Sequence, residues 1–171
     1  HWQDVVDHYV NSSTGMLDIR GNDAANVMTI TSAGTGSIAA GGNGDDRYIL
    51  STTNVQINES VDGGFDTVEW TGPVGSVVTL ASNVERLVLA ESSGSSSGVG
   101  NNQDNVINGN GSNNTLSGGA GIDVLVGAGG NDTLNGGADN DELDGGIGDD
   151  VLDGGAGDDT MVGGHGFDTY Y

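Results

Sequence analysis

The chain has 171 residues, of which 33 are glycine, with 34% hydrophobic and 5% aromatic content, no cysteine and a formal charge of −22. Glycine loses the most backbone freedom on folding and like charges repel in any compact state, so neither a conventional core nor disulfides can supply the stability. The basic residues are Arg20, Arg47 and Arg86, and none follows Leu87 while fourteen Asp or Glu do, which disfavours nucleic acid and anionic membranes and points to a small hard cation.

The length fits one domain. No apolar run reaches membrane-spanning length and no amino-terminal signal peptide is visible. The chain opens at His1 and closes on Asp168-Thr169-Tyr170-Tyr171 in mid-pattern, which suggests a piece of something longer. In residues 1–20, Trp2, Val5, Val6, Tyr9 and Val10 recur at helical spacing, and Asn11 to Gly15 reads as a stop. A short amphipathic cap helix is expected there, or the tail of an upstream domain. Residues 47–90 read as short strands, with RYIL, TNVQI, DTVEW, SVVTL and ERLVL alternating or apolar. They are expected to form coils with longer, less regular turns.

From Gly100 the chain divides without insertion into eight nonamers, the third being GGAGIDVLV and the sixth GGIGDDVLD. The eighth position is always large and apolar: Ile107, Leu116, Leu125, Leu134, Leu143, Leu152, Met161 and Tyr170. The sixth is Asn105, Asn114, Asp123, Asp132, Asp141, Asp150, Asp159 and Asp168. Three residues around each eighth position have strand character, and the six before them form a glycine-rich turn. One unit cannot bury its lone apolar side chain, whereas stacked units make a continuous thin core. Two nonamers per coil place units eighteen residues apart directly over one another. Asp132, Asp150 and Asp168 then share one edge, and Asp123, Asp141 and Asp159 the other. Carboxylates roughly 4.8 Å apart repel unless a cation lies between them. Oxygen-only ligands in flexible turns favour Ca²⁺. Four Asp–Asp pairs arise (123/141, 141/159, 132/150, 150/168), while Asn105/Asp123 and Asn114/Asp132 carry one charge each and are expected to bind weakly or not at all.

These units resemble the GGxGxDxUx nonapeptide of the repeats-in-toxin (RTX) hemolysin-type calcium-binding family. GAGGNDTLN and GGADNDELD depart from it once each, at Ala128 and Asp139. The resemblance reaches upstream through GGNGDDRYI at 41–49 and the degenerate GNDAANVMT from Gly21, with Asn26 where Asp belongs. The stretch from Asn58 through GGFDTV to NVERLVLA is similar to the spacers of such proteins, so that 21–99 reads as degenerate repeats and spacer and 100–171 as the regular array. The family implies an all-β, right-handed parallel β-roll with calcium in the turns. Its ligands would be the sixth-position aspartates with carbonyls of Gly118, Gly119, Gly121, Gly127, Gly129, Gly130, Gly136, Gly137, Gly145, Gly146, Gly148, Gly154, Gly155, Gly157, Gly163, Gly164 and Gly166. Asp46 and Asp66 fall where the family often has calcium carboxylates. About four to eight ions are expected in all.

The resemblance also implies a secreted bacterial protein exported by type I machinery, unfolded in low cytosolic calcium and folding outside. The leading expectation is a noncatalytic calcium-binding module supporting the export and stability of a larger protein and its upstream domain. A second is binding of extracellular polysaccharide or a cell surface, attached to an epimerase, lyase, protease, lipase or adhesin. Ice binding would need an unbroken rank of threonines, and Val151 interrupts Thr115, Thr133 and Thr169. No catalytic constellation is expected: His1, His8 and His165 are scattered without HExxH, no lipase-type nucleophile elbow is expected, and the nine-residue period accounts for the acid pairs.

Overall fold

The computed structural model describes the backbone of residues 7–11 and residues 15–171 in full. The chain winds as a β-solenoid with two sheet faces joined by turns at both edges. The front sheet is continuous and parallel: β3 (Val27–Ile30), β5 (Arg47–Leu50), β7 (Thr67–Trp70), β9 (Arg86–Leu89), β11 (Val106–Asn108), β13 (Val124–Gly129), β15 (Glu142–Ile147) and β17 (Thr160–His165). The back face has two sheets. One comprises β1 (Asp7–Asn11), β2 (Met16–Arg20), β4 (Ser37–Ala40) and β6 (Val55–Ile57). The other comprises β8 (Val77–Thr79), β10 (Ser97–Val99), β12 (Thr115–Ala120), β14 (Thr133–Ala138), β16 (Val151–Ala156) and β18 (Thr169–Tyr170).

Register shows how coil length follows side-chain size. Positions 27, 47, 67, 86, 106, 124, 142 and 160 stack on the front face, so coils span 19 or 20 residues up to Val106 and 18 thereafter. In the long coils each front strand turns two large side chains inward: Met28 and Ile30, Tyr48 and Leu50, Val68 and Trp70, Leu87 and Leu89. In the short coils one leucine points inward and a glycine follows two positions later, as with Leu125 and Gly127. A thin core needs a short perimeter. Ile107, Leu116, Leu125, Leu134, Leu143 and Leu152 are all completely buried, stacked rung on rung.

Three features depart from the sequence reading. Residues 7–11 are extended and pair antiparallel with β2, where helical spacing predicts a helix; Trp2, Val5 and Val6 lie outside the described residues. Pairing with β2 satisfies the backbone of this segment across strands, and tertiary context overrides the weak helical period. The strands of the array are six residues long rather than three, because parallel pairing resumes after one skipped glycine, as in Ser117↔Asn135 followed by Gly119↔Gly137. The skipped glycine faces the turn carboxylate. Finally, the back face is interrupted, since β6 and β8 do not pair. The lone proline, Pro73, stands in the loop between β7 and β8. The opening is a cleft of about 700 Å³ lined by Gln56, Asn58, Trp70, Thr79 and Asn83 among others. Asn83 Nδ2 reaches across it to the Glu59 carbonyl at 3.1 Å.

Candidate metal centre

Each turn of the array ends in its sixth-position residue, and these residues form two hydrogen-bonded columns along the solenoid edges. At one edge Asn105 N donates to Asp123 Oδ1 at 2.7 Å, Asp123 N to Asp141 Oδ1 at 2.8 Å and Asp141 N to Asp159 Oδ1 at 2.9 Å. At the other, Asn114 N donates to Asp132 Oδ1 at 2.7 Å, Asp132 N to Asp150 Oδ1 at 2.7 Å and Asp150 N to Asp168 Oδ1 at 3.1 Å. The eighteen-residue stacking of aspartates read from the sequence is therefore the stacking in the fold. Upstream, Asn26 N donates to Asp46 Oδ1 and Asp46 N to Asp66 Oδ1, so the first column continues into the irregular coils. Asp66 N in turn donates to Glu85 Oε2, a residue sequence reasoning missed because its coil lacks the glycine-turn signature.

One oxygen of each carboxylate is thus anchored. The other is not. Oδ2 of Asp46, Asp66, Asp123, Asp132, Asp141 and Asp150 is buried without a hydrogen-bond partner. Asp159 and Asp168, in the last coil, are more open. Burying an acceptor with no donor is costly, and a buried anion more so. Burial pushes the Asp123 carboxyl up to about 7 and those of Asp132, Asp46 and Asp66 up to about 6. The backbone N–H on Oδ1 pulls each back, and neighbouring carboxylates push it up again. Asp141 and Asp150 are raised for the same first reason, burial.

What separates aspartate from asparagine coils is the second residue of the turn. In the asparagine coils that residue is also Asn, and its N–H donates into its own turn: Asn22 N to Asn26 Oδ1, Asn101 N to Asn105 Oδ1 and Asn110 N to Asn114 Oδ1, all at 2.7–2.8 Å. In the array's aspartate coils the second residue has positive φ, from 77° at Ala128 to 118° at Gly119 and Gly137, and no such bond forms. The carboxylate oxygen is left facing the turn. The amide nitrogens of Asn105 and Asn114 meanwhile donate to the carbonyls of Val84 and Ser96. In the two asparagine coils of the array the sixth-position side chains are therefore hydrogen-bonded within the protein.

The aspartate turns fit a hard cation. A Cβ built on Gly118 would lie 2.2 Å from Asp123 Oδ2 and 2.7 Å from the Gly136 carbonyl of the next coil. One on Gly127 would lie 2.3 Å from Asp132 Oδ2 and 2.6 Å from the Gly145 carbonyl. The missing side chains leave carboxylate and carbonyl oxygens from two coils converging on one space. An all-oxygen donor set on adaptable turns is a calcium set. The sixth-position aspartates with turn carbonyls, including those of the glycines named above, would hold it.

The letters GSSSG at Gly94–Gly98 match the GxSxG pattern of nucleophile elbows, which the sequence reading passed over. Here they make no elbow. Ser96 is buried, its hydroxyl donates to the Ser93 carbonyl at 2.8 Å, and the segment runs into strand β10 rather than a helix.

Fold and site together define a calcium-type β-roll: a parallel solenoid whose turns carry buried carboxylates in need of a divalent ion. The RTX calcium-binding nonapeptide repeat (4 copies) matches residues 93–125, 117–152 and 135–170, and this part of the chain belongs to that family. The matched repeat is a calcium-binding one. A search of curated proteins returns no match to the chain. No described helix is long and apolar enough to cross a membrane.

Proposed function

We propose that the chain is a noncatalytic calcium-binding module of a secreted bacterial protein, folding when it meets calcium outside the cell and so supporting export and stability of a larger protein. The observation that carries this reading is the set of buried, partnerless Oδ2 atoms on Asp123, Asp132, Asp141 and Asp150. Without a cation these groups oppose the fold; with one they hold successive coils together. Extracellular calcium modules have dissociation constants of roughly 10⁻⁴–10⁻³ M. At ~1 mM calcium a site with a constant of ~0.1 mM contributes about 1.4 kcal/mol. Four Asp–Asp pairs then contribute roughly 5–6 kcal/mol, comparable with the whole stability of a small domain. A calcium titration followed by circular dichroism tests this directly: the β signal rises with calcium, and an unchanged spectrum between chelator and 10 mM calcium sinks the reading.

Polysaccharide binding is the second reading, and the cleft between β6 and β8 favours it. Its amide and hydroxyl groups, on Gln56, Asn58, Thr79 and Asn83, suit sugar hydroxyls. Glycan-array binding in saturating calcium, abolished by chelator, separates the two.

A further inference from the structure

Outside the nonamer array, one oxygen from each of Asp46, Glu59 and Asp66 lies within 4.8 Å of the others. Asp46 and Asp66 belong to the front-edge column. Glu59 is the second residue of the long turn Asn58–Asp66, which spans nine residues where the turns between strands β12 to β17 span three, and sequence periodicity does not single it out.

All three groups share one arrangement. Asp46 Oδ1 accepts from Asn26 N at 2.7 Å and Asp66 Oδ1 from Asp46 N at 2.8 Å. Glu59 Oε1 accepts from Gly41 N at 2.8 Å and from the hydroxyl of Tyr48, whose ring is buried in the core. Each side chain is thereby held in place. Yet Asp46 Oδ2, Asp66 Oδ2 and Glu59 Oε2 are buried with no partner, and both aspartates are 1% exposed. No positive charge compensates them: the ion pairs among the described residues are Arg20–Asp18 and Arg47–Glu69. The turn glycine Gly41 passes so close that a Cβ there would lie 1.9 Å from Asp46 Oδ2.

We propose that Asp46, Glu59 and Asp66 form a separate calcium site, built from three carboxylates rather than two, which fills before the array and secures the long coils on which the array stacks. Affinity in oxygen-ligand calcium sites rises with ligand charge and rigidity. This site exceeds the array pairs in charge and matches them in anchoring. The proposal rests on the calcium reading of the array only for the identity of the ion.

Tyr48 supplies the test, because its hydroxyl touches Glu59 and its ring can sensitise terbium luminescence. The background is Tyr170→Phe, since the Tyr170 hydroxyl accepts from Gly163 N near Asp168. Terbium emission should saturate with the first equivalent and vanish in both Glu59→Gln and Tyr48→Phe. Calcium calorimetry should resolve one equivalent at least about tenfold tighter than the rest. Glu59→Gln should remove that equivalent while the spectrum in saturating calcium shows the array still folded, and Glu59→Asp should recover part of it. A tight equivalent that survives Glu59→Gln overturns the proposal. A tight equivalent without any weaker phase overturns the calcium reading of the array and leaves this site standing.

Discussion

Asp132→Asn should stabilise the roll without calcium and weaken its response to calcium. Asp132 is buried, its Oδ1 caps Asn114 N, and its Oδ2 has no partner. In chelator at pH 7.5 the wild-type carboxylate is ionised in a place that raises its carboxyl from 3.8 to about 6. That difference corresponds to at most about 3 kcal/mol against the fold. Asparagine keeps the Oδ1 acceptor, removes the charge and places an N–H donor beside the Gly145 carbonyl, so in chelator the variant should be more stable by about 1–3 kcal/mol. In ~1 mM calcium the same change empties the 132/150 site and forfeits about 1.4 kcal/mol of calcium stabilisation, so the rise in melting point produced by calcium should be smaller by roughly 3–6 °C. The assay is circular dichroism: thermal melts in calcium, and trimethylamine oxide titrations in chelator, where the osmolyte drives folding. The variant should need less osmolyte than wild type in chelator and gain less in melting point as calcium is raised. A variant that needs more osmolyte in chelator, or that gains as much from calcium as wild type, refutes the reasoning.

The raised carboxyls set a pH dependence. A group whose folded value lies above its unfolded one stabilises the fold fully below the unfolded value and loses that contribution as pH rises through the folded value. In chelator the roll should be most favoured near pH 4 and lose stability as pH climbs through 6 to 7, where Asp132 and Asp123 ionise. Calcium binding near pH 6 should then release protons, readable as a dependence of calorimetric heat on buffer ionisation enthalpy. Leu134→Ala removes a fully buried rung between Leu116 and Leu152 and should cost about 2–5 kcal/mol in saturating calcium, measured by urea unfolding. Ala128 and Asp139 both hold φ of 77° where neighbouring units have glycine. Ala128→Gly and Asp139→Gly should each raise stability by about 1 kcal/mol in the same assay. Gly137→Ala should do the reverse, since its Cβ would meet the Gly119 carbonyl at 2.2 Å.

Much of the regular array was legible without coordinates, and the reason is its period. A nine-residue repeat with one large apolar side chain admits one economical stacking, so the vertical alignment of Leu116 with Leu134 and of Asp132 with Asp150 follows from counting. That Asn105 and Asn114 lack the charge of the other sixth-position residues was legible. Their closed hydrogen bonds were not, because whether the N–H of residue two closes onto the side chain depends on the sign of φ there. The helix expected over Tyr9 and Val10 failed because a few residues at helical spacing also suit a strand once a partner such as β2 lies alongside.

The sequence by itself determined the carboxylate columns, the leucine ladder and the need for a hard cation, because each is written in residues at a fixed interval. Tertiary structure alone decided that the back sheet opens between β6 and β8, that Glu85 caps Asp66, and that Glu59 meets Asp46 and Asp66. Those features depend on how turns of unequal length close. A turn's length shows in the sequence, but where its side chains arrive is set by the coils above and below it.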